Sequence, residues 1–115
     1  MTDSHLHNFD VYRIAKEALA AAIEHRAAWR GLPGEVAPQL ERALVSIVLN
    51  IAEGAGRWTP ADQRRHYRIA RGSTLEAAAC LDVAAIMGAP ASAVDAVAVL
   101  LQRVTRMLNV LSRGR

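Results

Sequence analysis

The sequence predicts an all-α protein, a four-helix bundle of antiparallel up-down-up-down order. Three observations carry this. Apolar residues recur at steps of three and four along four separate stretches. Hydrophobic residues make up 52% of the chain, mostly alanine and leucine, while the aromatics are only Phe9, Tyr12, Trp29, Trp58 and Tyr67. That composition suits close-packed helices better than a sheet. Glycine and proline, finally, fall between the stretches rather than within a strand-like alternation.

The elements follow in order. Tyr12, Ala15, Leu19, Ala22 and Trp29 mark a first amphipathic helix over roughly 9–29, broken by "RGLPGE". Ala37, Leu40, Leu44, Ile47 and Ile51 mark a second over 36–55, which is expected to end where Gly54 and Gly56 adopt left-handed conformations. "TPAD" opens a third over 60–87: Thr59 as N-cap, Pro60 at the first helical position, Asp62 against the positive end of the dipole. "GAPAS" ends it and offers Ser92 as cap of a fourth helix over 92–112, whose stripe is Val94, Val97, Leu101, Val104, Leu108 and Leu111. Short connections imply antiparallel neighbours. All 115 residues form one domain by size.

Not all apolar residues fit a single buried stripe. On α-helical geometry Arg64, Arg68 and Arg71 share an arc of roughly 60° that should face solvent. Leu75 and Ile86 continue that arc, and Val48 and Leu49 give the second helix a second apolar face. Helices apolar on more than one side are buried on more than one side. These four residues are therefore the candidate oligomer interface.

Composition also narrows the chemistry. The net charge is +3, from 14 Lys+Arg against 11 Asp+Glu, and Lys16 is the lone lysine. Cys80 is the single cysteine and sits in "AAACLDVAA", so a core role is expected rather than a disulfide, redox or nucleophilic one. The N-terminus "MTDSHLHNFD" carries no signal-peptide pattern, and no apolar run approaches the ~20 residues of a membrane span. A cytoplasmic protein without membrane contact is expected. His5 and His7 lack a third ligand nearby, and His25 and His66 read as lone residues on polar faces, so no metal site or cofactor is expected.

Two motifs remain. "GAGR" is not a dinucleotide loop, because Thr59 stands where a third glycine is needed and no strand precedes it. Ser46, Asn50, Glu53 and Arg57 step by four, three and four along the second helix. With no partner for acid–base catalysis at a defined spacing, they read as a buried structural network in which Arg57 or a third-helix group neutralises Glu53. The second motif is "RWTPADQRRHYRIAR". Arg57, Arg64, Arg65, Arg68 and Arg71 face only Asp62, and Trp58, His66 and Tyr67 lie between them. Such clusters suit phosphate contact and base stacking; a solvated face of local salt bridges is the plainer alternative.

These residues carry a resemblance. "SIVLNIAEGAGR" and "YRIARGSTLEA" resemble the bacterial four-helix-bundle family related to proteins encoded in intervening sequences of 23S ribosomal RNA genes. The matching positions are Asn50–Gly54, Gly56 and Arg57, then Ile69, Ala70, Gly72, Ser73 and Glu76, with "MLNVL" as the closing helix. The resemblance implies a homopentamer around a central channel. Through the accessory proteins of diversity-generating retroelements, it also implies association with a reverse transcriptase and nucleic acid. It adds Glu76 to the polar network. Val48-Leu49 replaces the family's usual Pro-Ala, Ala55 its usual aromatic, and Arg71 its usual apolar residue. Two functions are expected: a non-enzymatic oligomeric scaffold associated with RNA or DNA, or a module docking an acidic protein partner without nucleic acid.

Overall fold

The computed structural model describes residues 9–113. Four helices pack about one core: α1 (Asp10–Glu24), α2 (Val36–Ala55), α3 (Pro60–Ile86) and α4 (Ala91–Leu111). Each packs against two others, α1 and α3 both lying between α2 and α4. The core is built largely from the predicted α2 and α4 stripes, while on α1 the buried side is Val11, Ile14, Ala15, Ala18 and Ala22, with the expected Tyr12 and Leu19 only half-buried. Leu40, Leu44, Ile47 and Ile51 of α2 and Val97, Leu101, Val104 and Leu108 of α4 are all buried. The face that α3 turns inward is small: Ala70, Thr74, Ala77 and Ala84 are fully buried. Thr74 satisfies its hydroxyl by donating to the Ala70 carbonyl at 2.8 Å.

That small face brings α3 close to α2. The closest approach falls at Gly54, where an added Cβ would stand 2.7 Å from the Tyr67 ring and 3.2 Å from the Gln63 carbonyl oxygen. Glycine is required at this point by space. Its backbone is helical, and the left-handed conformation expected at Gly54 and Gly56 does not occur; Gly56 has φ −91°. The helix ends instead as the Gly56 N–H turns onto the Ala52 and Glu53 carbonyls. Left-handed glycines lie in the other two connections, Gly34 at φ 76° and Gly88 at φ 101°. Glu35 joins Gly34 in that region at φ 61° and forms the entry to α2.

Two further boundaries differ from the sequence reading. The first helix stops at Glu24 rather than 29, and a 3-10 turn follows at Arg26–Ala28. This tightening still delivers Trp29 to the core, fully buried. The spacing placed the side chain correctly and the backbone wrongly. Its indole N–H has no partner among the described residues, a cost of about 1–3 kcal/mol set against a large apolar burial. Arg26 pins the turn to α2 by donating to both Glu41 carboxylate oxygens, at 2.8 and 3.1 Å.

Ser92, expected as a cap, lies inside α4. The Pro90 carbonyl accepts from Ala93 and Val94, and Pro90 as N-cap starts the helix two residues before Ser92 as cap would. The α3 entry is as predicted: Thr59 Oγ1 accepts from the Asp62 N–H at 3.1 Å, and Pro60 takes the first turn.

Three of the four candidate interface residues are left exposed by the single chain. Val48 is half-buried, while Leu49 is 61% and Ile86 84% exposed, and Leu75 is also exposed. Among the described residues, no helix is long and apolar enough to cross a membrane.

The glycines give a paired test by urea denaturation. Gly54→Ala should cost about 1–3 kcal/mol, because Tyr67 must move. Gly72→Ala should stabilise by about 0.5–1 kcal/mol, because the added methyl meets nothing within 4 Å in mid-helix. Equal effects from the two would contradict the close crossing.

Candidate functional site

Along the α2–α3 contact, polar side chains replace the apolar ones in a continuous line. Ser46 and Asn50 lie one turn apart on α2; His66 and Ser73 lie two turns apart on α3. The two serine hydroxyls are 2.8 Å apart. The Asn50 amide donates to the Ser46 carbonyl at 3.0 Å and to its hydroxyl at 3.2 Å. That leaves the Asn50 Oδ1 to accept from His66 Nδ1 at 3.3 Å.

On the other side of the ring, Arg65 approaches His66 Nε2 at 3.2 Å. A guanidinium can only donate, so Nε2 is the acceptor and Nδ1 carries the hydrogen. The neutral Nδ1–H tautomer satisfies both contacts. Arg65 continues the line to Asp62 at 3.4 Å. Asp62 lies 3.7 Å from Arg57 Nε, within ion-pair reach though too long for a hydrogen bond, and Arg57 pairs with Glu53.

This arrangement revises the predicted network. Ser46 and Asn50 belong to it as expected. The Glu53–Arg57 pair is not buried: the Glu53 side chain is 52% exposed, one helical turn before its partner. Glu76 is exposed and makes no hydrogen bond or ion pair among the described residues. His66, read from sequence as lying on a polar face, is buried. Its signal was its register, since His66, Ala70, Ser73 and Ala77 step by four, three and four down the inward face of α3.

The same geometry divides the five candidate arginines. Arg57 and Arg65 are compensated by Glu53 and Asp62. Arg64, Arg68 and Arg71 have no carboxylate within 4 Å among the described residues. Arg71 reaches across to α4, where its Nε donates to Asn109 Oδ1. The chain after α4 adds two groups that the sequence reading missed: Arg68, Arg71, Asn109, Ser112 and Arg113 line one cleft of about 460 Å³. Arg113 lies 42 residues beyond Arg71, so only the packing of α3 on α4 brings them together.

Trp58 stands in the α2–α3 connection, 97% exposed, the opposite extreme to Trp29. Cys80 is buried as expected. Burial first, and then Glu76, push its thiol pKa up, with Arg42 opposing, so the unreactive thiol form is favoured. His5 and His7 lie outside the described residues; within them, no three His, Cys, Asp or Glu side chains are grouped to hold a metal ion.

The sequence pattern of the 23S rRNA-intervening sequence protein family matches residues 7–110. The chain belongs to this family. Among curated proteins, none matches it. The block Asn50–Arg57, which carried the resemblance, has a structural account: Asn50 links two helices, Gly54 admits Tyr67, and Glu53 pairs with Arg57.

The seam should show two very different sensitivities in chemical denaturation. Asn50→Leu strips His66 Nδ1 and Ser46 of their partner and should cost about 1–3 kcal/mol. Glu53→Gln removes only an exposed pair and should change stability by under about 1 kcal/mol. A larger loss from Glu53→Gln than from Asn50→Leu would reverse this account of the network.

Proposed function

We propose that the protein is a non-enzymatic, oligomeric scaffold of the cytoplasm that associates with RNA or DNA through its basic face. The observation that carries this reading is the uncompensated arc of Arg64, Arg68 and Arg71, extended by Arg113 just after α4. Arginine's planar fork matches phosphate oxygens, and cations free of local carboxylates lose no ion pair on binding.

The scaffold is an antiparallel up-down-up-down bundle, a reading supported by the four-residue connection between α2 and α3. Its copies join through the uncovered apolar residues Leu49, Leu75 and Ile86, with Val48 beside them. The number five is what the family resemblance implies. Five copies would carry 5 × 3 = +15 and repeat the arginine arc around the ring. Contacts weak in one copy then act together, because each later one is intramolecular. A second reading is a protein-interaction module whose basic face docks an acidic partner without nucleic acid, with the nearly fully exposed Trp58 as a further contact for a protein such as a reverse transcriptase.

Light scattering after gel filtration should give the mass of a pentamer, five times 12.4 kDa. Ile86→Glu should shift the population toward smaller species, since it places an unpaired charge in the joint. A wild-type monomer at micromolar concentration would remove the assembly from the reading.

Fluorescence anisotropy of labelled RNA and DNA tests the basic face. Affinity should be largely independent of sequence and fall steeply with salt, with a log–log slope of about −0.7 to −0.9 per phosphate neutralised. Changing Arg64, Arg68 and Arg71 together to glutamine should keep the fold while lowering both affinity and slope. If the wild-type protein binds neither polymer even at low salt, the protein-docking reading replaces this one.

A further inference from the structure

We propose that the protein seats one nucleotide of a single-stranded nucleic acid where α1 begins and α4 ends. The base enters an apolar cavity and the phosphate occupies the adjoining arginine cleft. The inference rests on the nucleic-acid reading above and goes beyond it by naming the form of the strand and the place that holds it.

The cavity has a volume of about 710 Å³, and Phe9, Pro60, Gln63, Arg64, Tyr67 and Val110 are among its walls. That volume falls in the range of roughly 300–1,000 Å³ typical of small-molecule sites. Two aromatic side chains are among its walls, half-buried Phe9 and buried Tyr67. The Phe9 and Tyr67 rings meet edge to face, with centroids 6.2 Å apart and planes at 60°. Aromatic faces accept any base by stacking.

A few polar groups interrupt the apolar lining, and two of them keep a polar atom without a partner among the described residues. Arg64 Nε is buried with no hydrogen-bond partner among the described residues. Gln63 donates its amide to the Arg57 carbonyl at 3.0 Å, and its own side-chain oxygen accepts nothing among them. A donor and an acceptor on one wall match the edge of a nucleobase, which always offers both kinds of group or the means to pair with one of them.

Arg113 lines both this cavity and the cleft formed with Arg68, Arg71, Asn109 and Ser112. An apolar planar group in the first therefore has its negative charge beside three arginines in the second. Along α3, Arg64 and Arg71 are separated by about 10 Å at 1.5 Å per residue, so cavity and cleft are neighbours on one arc. No acidic side chain lines either space among the described residues. A base stacked inside a duplex cannot enter a cavity without leaving its helix, so this geometry selects single strands.

The test compares labelled ten-nucleotide RNA and DNA single strands with a duplex of the same sequence, by anisotropy across a salt series. Single strands should bind at least about tenfold tighter than duplex, in keeping with one stacked base. RNA and DNA should bind alike, because the arrangement turns on base and phosphate. Val110→Trp fills the cavity from a position that is 63% exposed and outside the cleft. It should abolish the single-strand preference while leaving duplex affinity and the salt slope unchanged. Ala55→Trp, from the α2 wall, should do the same. Arg113→Gln should weaken single strands and duplex together.

Equal binding of single strand and duplex overturns the cavity proposal. So does an unchanged preference in both tryptophan variants with intact helical signal. Either result leaves the basic-face reading standing if glutamine at Arg64, Arg68 and Arg71 still weakens binding. Absence of binding to every polymer at low salt overturns both.

Discussion

Tyr67 packs against the backbone of α2 at Gly54, and the geometry of the basic face follows from that contact. A methyl group at Gly54 would meet the ring at 2.7 Å, so the two helices approach only because the side chain is absent. Their closeness lets Ser46 reach Ser73 and Asn50 reach His66 with short polar side chains. It also fixes the rotation of α3. With His66, Ala70 and Thr74 turned inward, Arg64, Arg68 and Arg71 are carried to the opposite side. Small residues thereby set the direction in which large ones point.

The polar seam and the arginine arc answer different electrostatic problems. In the seam hydrogen bonds run as a chain from Ser73 through Ser46, Asn50 and His66 to Arg65, and carboxylates close the line at its wet end. A half-buried contact of this kind specifies register, because sliding either helix by one residue would strand several groups together. The arc is left without such closure. Positive charge that is not consumed internally remains available to an outside partner, and its repulsive cost is moderated by exposure to water.

Legibility of the sequence varied with the range of the interaction involved. The four helices, the Thr59 cap and most of the core follow from local periodicity and capping chemistry, and these are the parts that sequence resolves. The end of α1 did not, because periodicity reports which side faces inward and is blind to a 3-10 turn that keeps Trp29 on that side. Glycine at α2's end suggested its commonest role, a left-handed stop, when the actual constraint was the close approach of the Tyr67 ring, thirteen residues further along the chain, and not φ. Glu53 was placed by its stripe, yet a stripe does not reveal how deep a helix edge sits. Arg113, Ser112 and Asn109 lay beyond reach, since nothing in their own neighbourhood signals that α3's arginines arrive beside them.

Phe9 and Arg113 border one cavity although almost the whole described chain separates them. The seam, by contrast, is complete once residues 46–73 have folded. A growing chain can therefore align α2 with α3 well before the cavity exists, and the cavity closes only when the last helix docks against the first. A molecule seated there would bind the completed four-helix fold and no earlier intermediate. Through mass action, it would hold the first and last helices together and raise the stability of the whole domain.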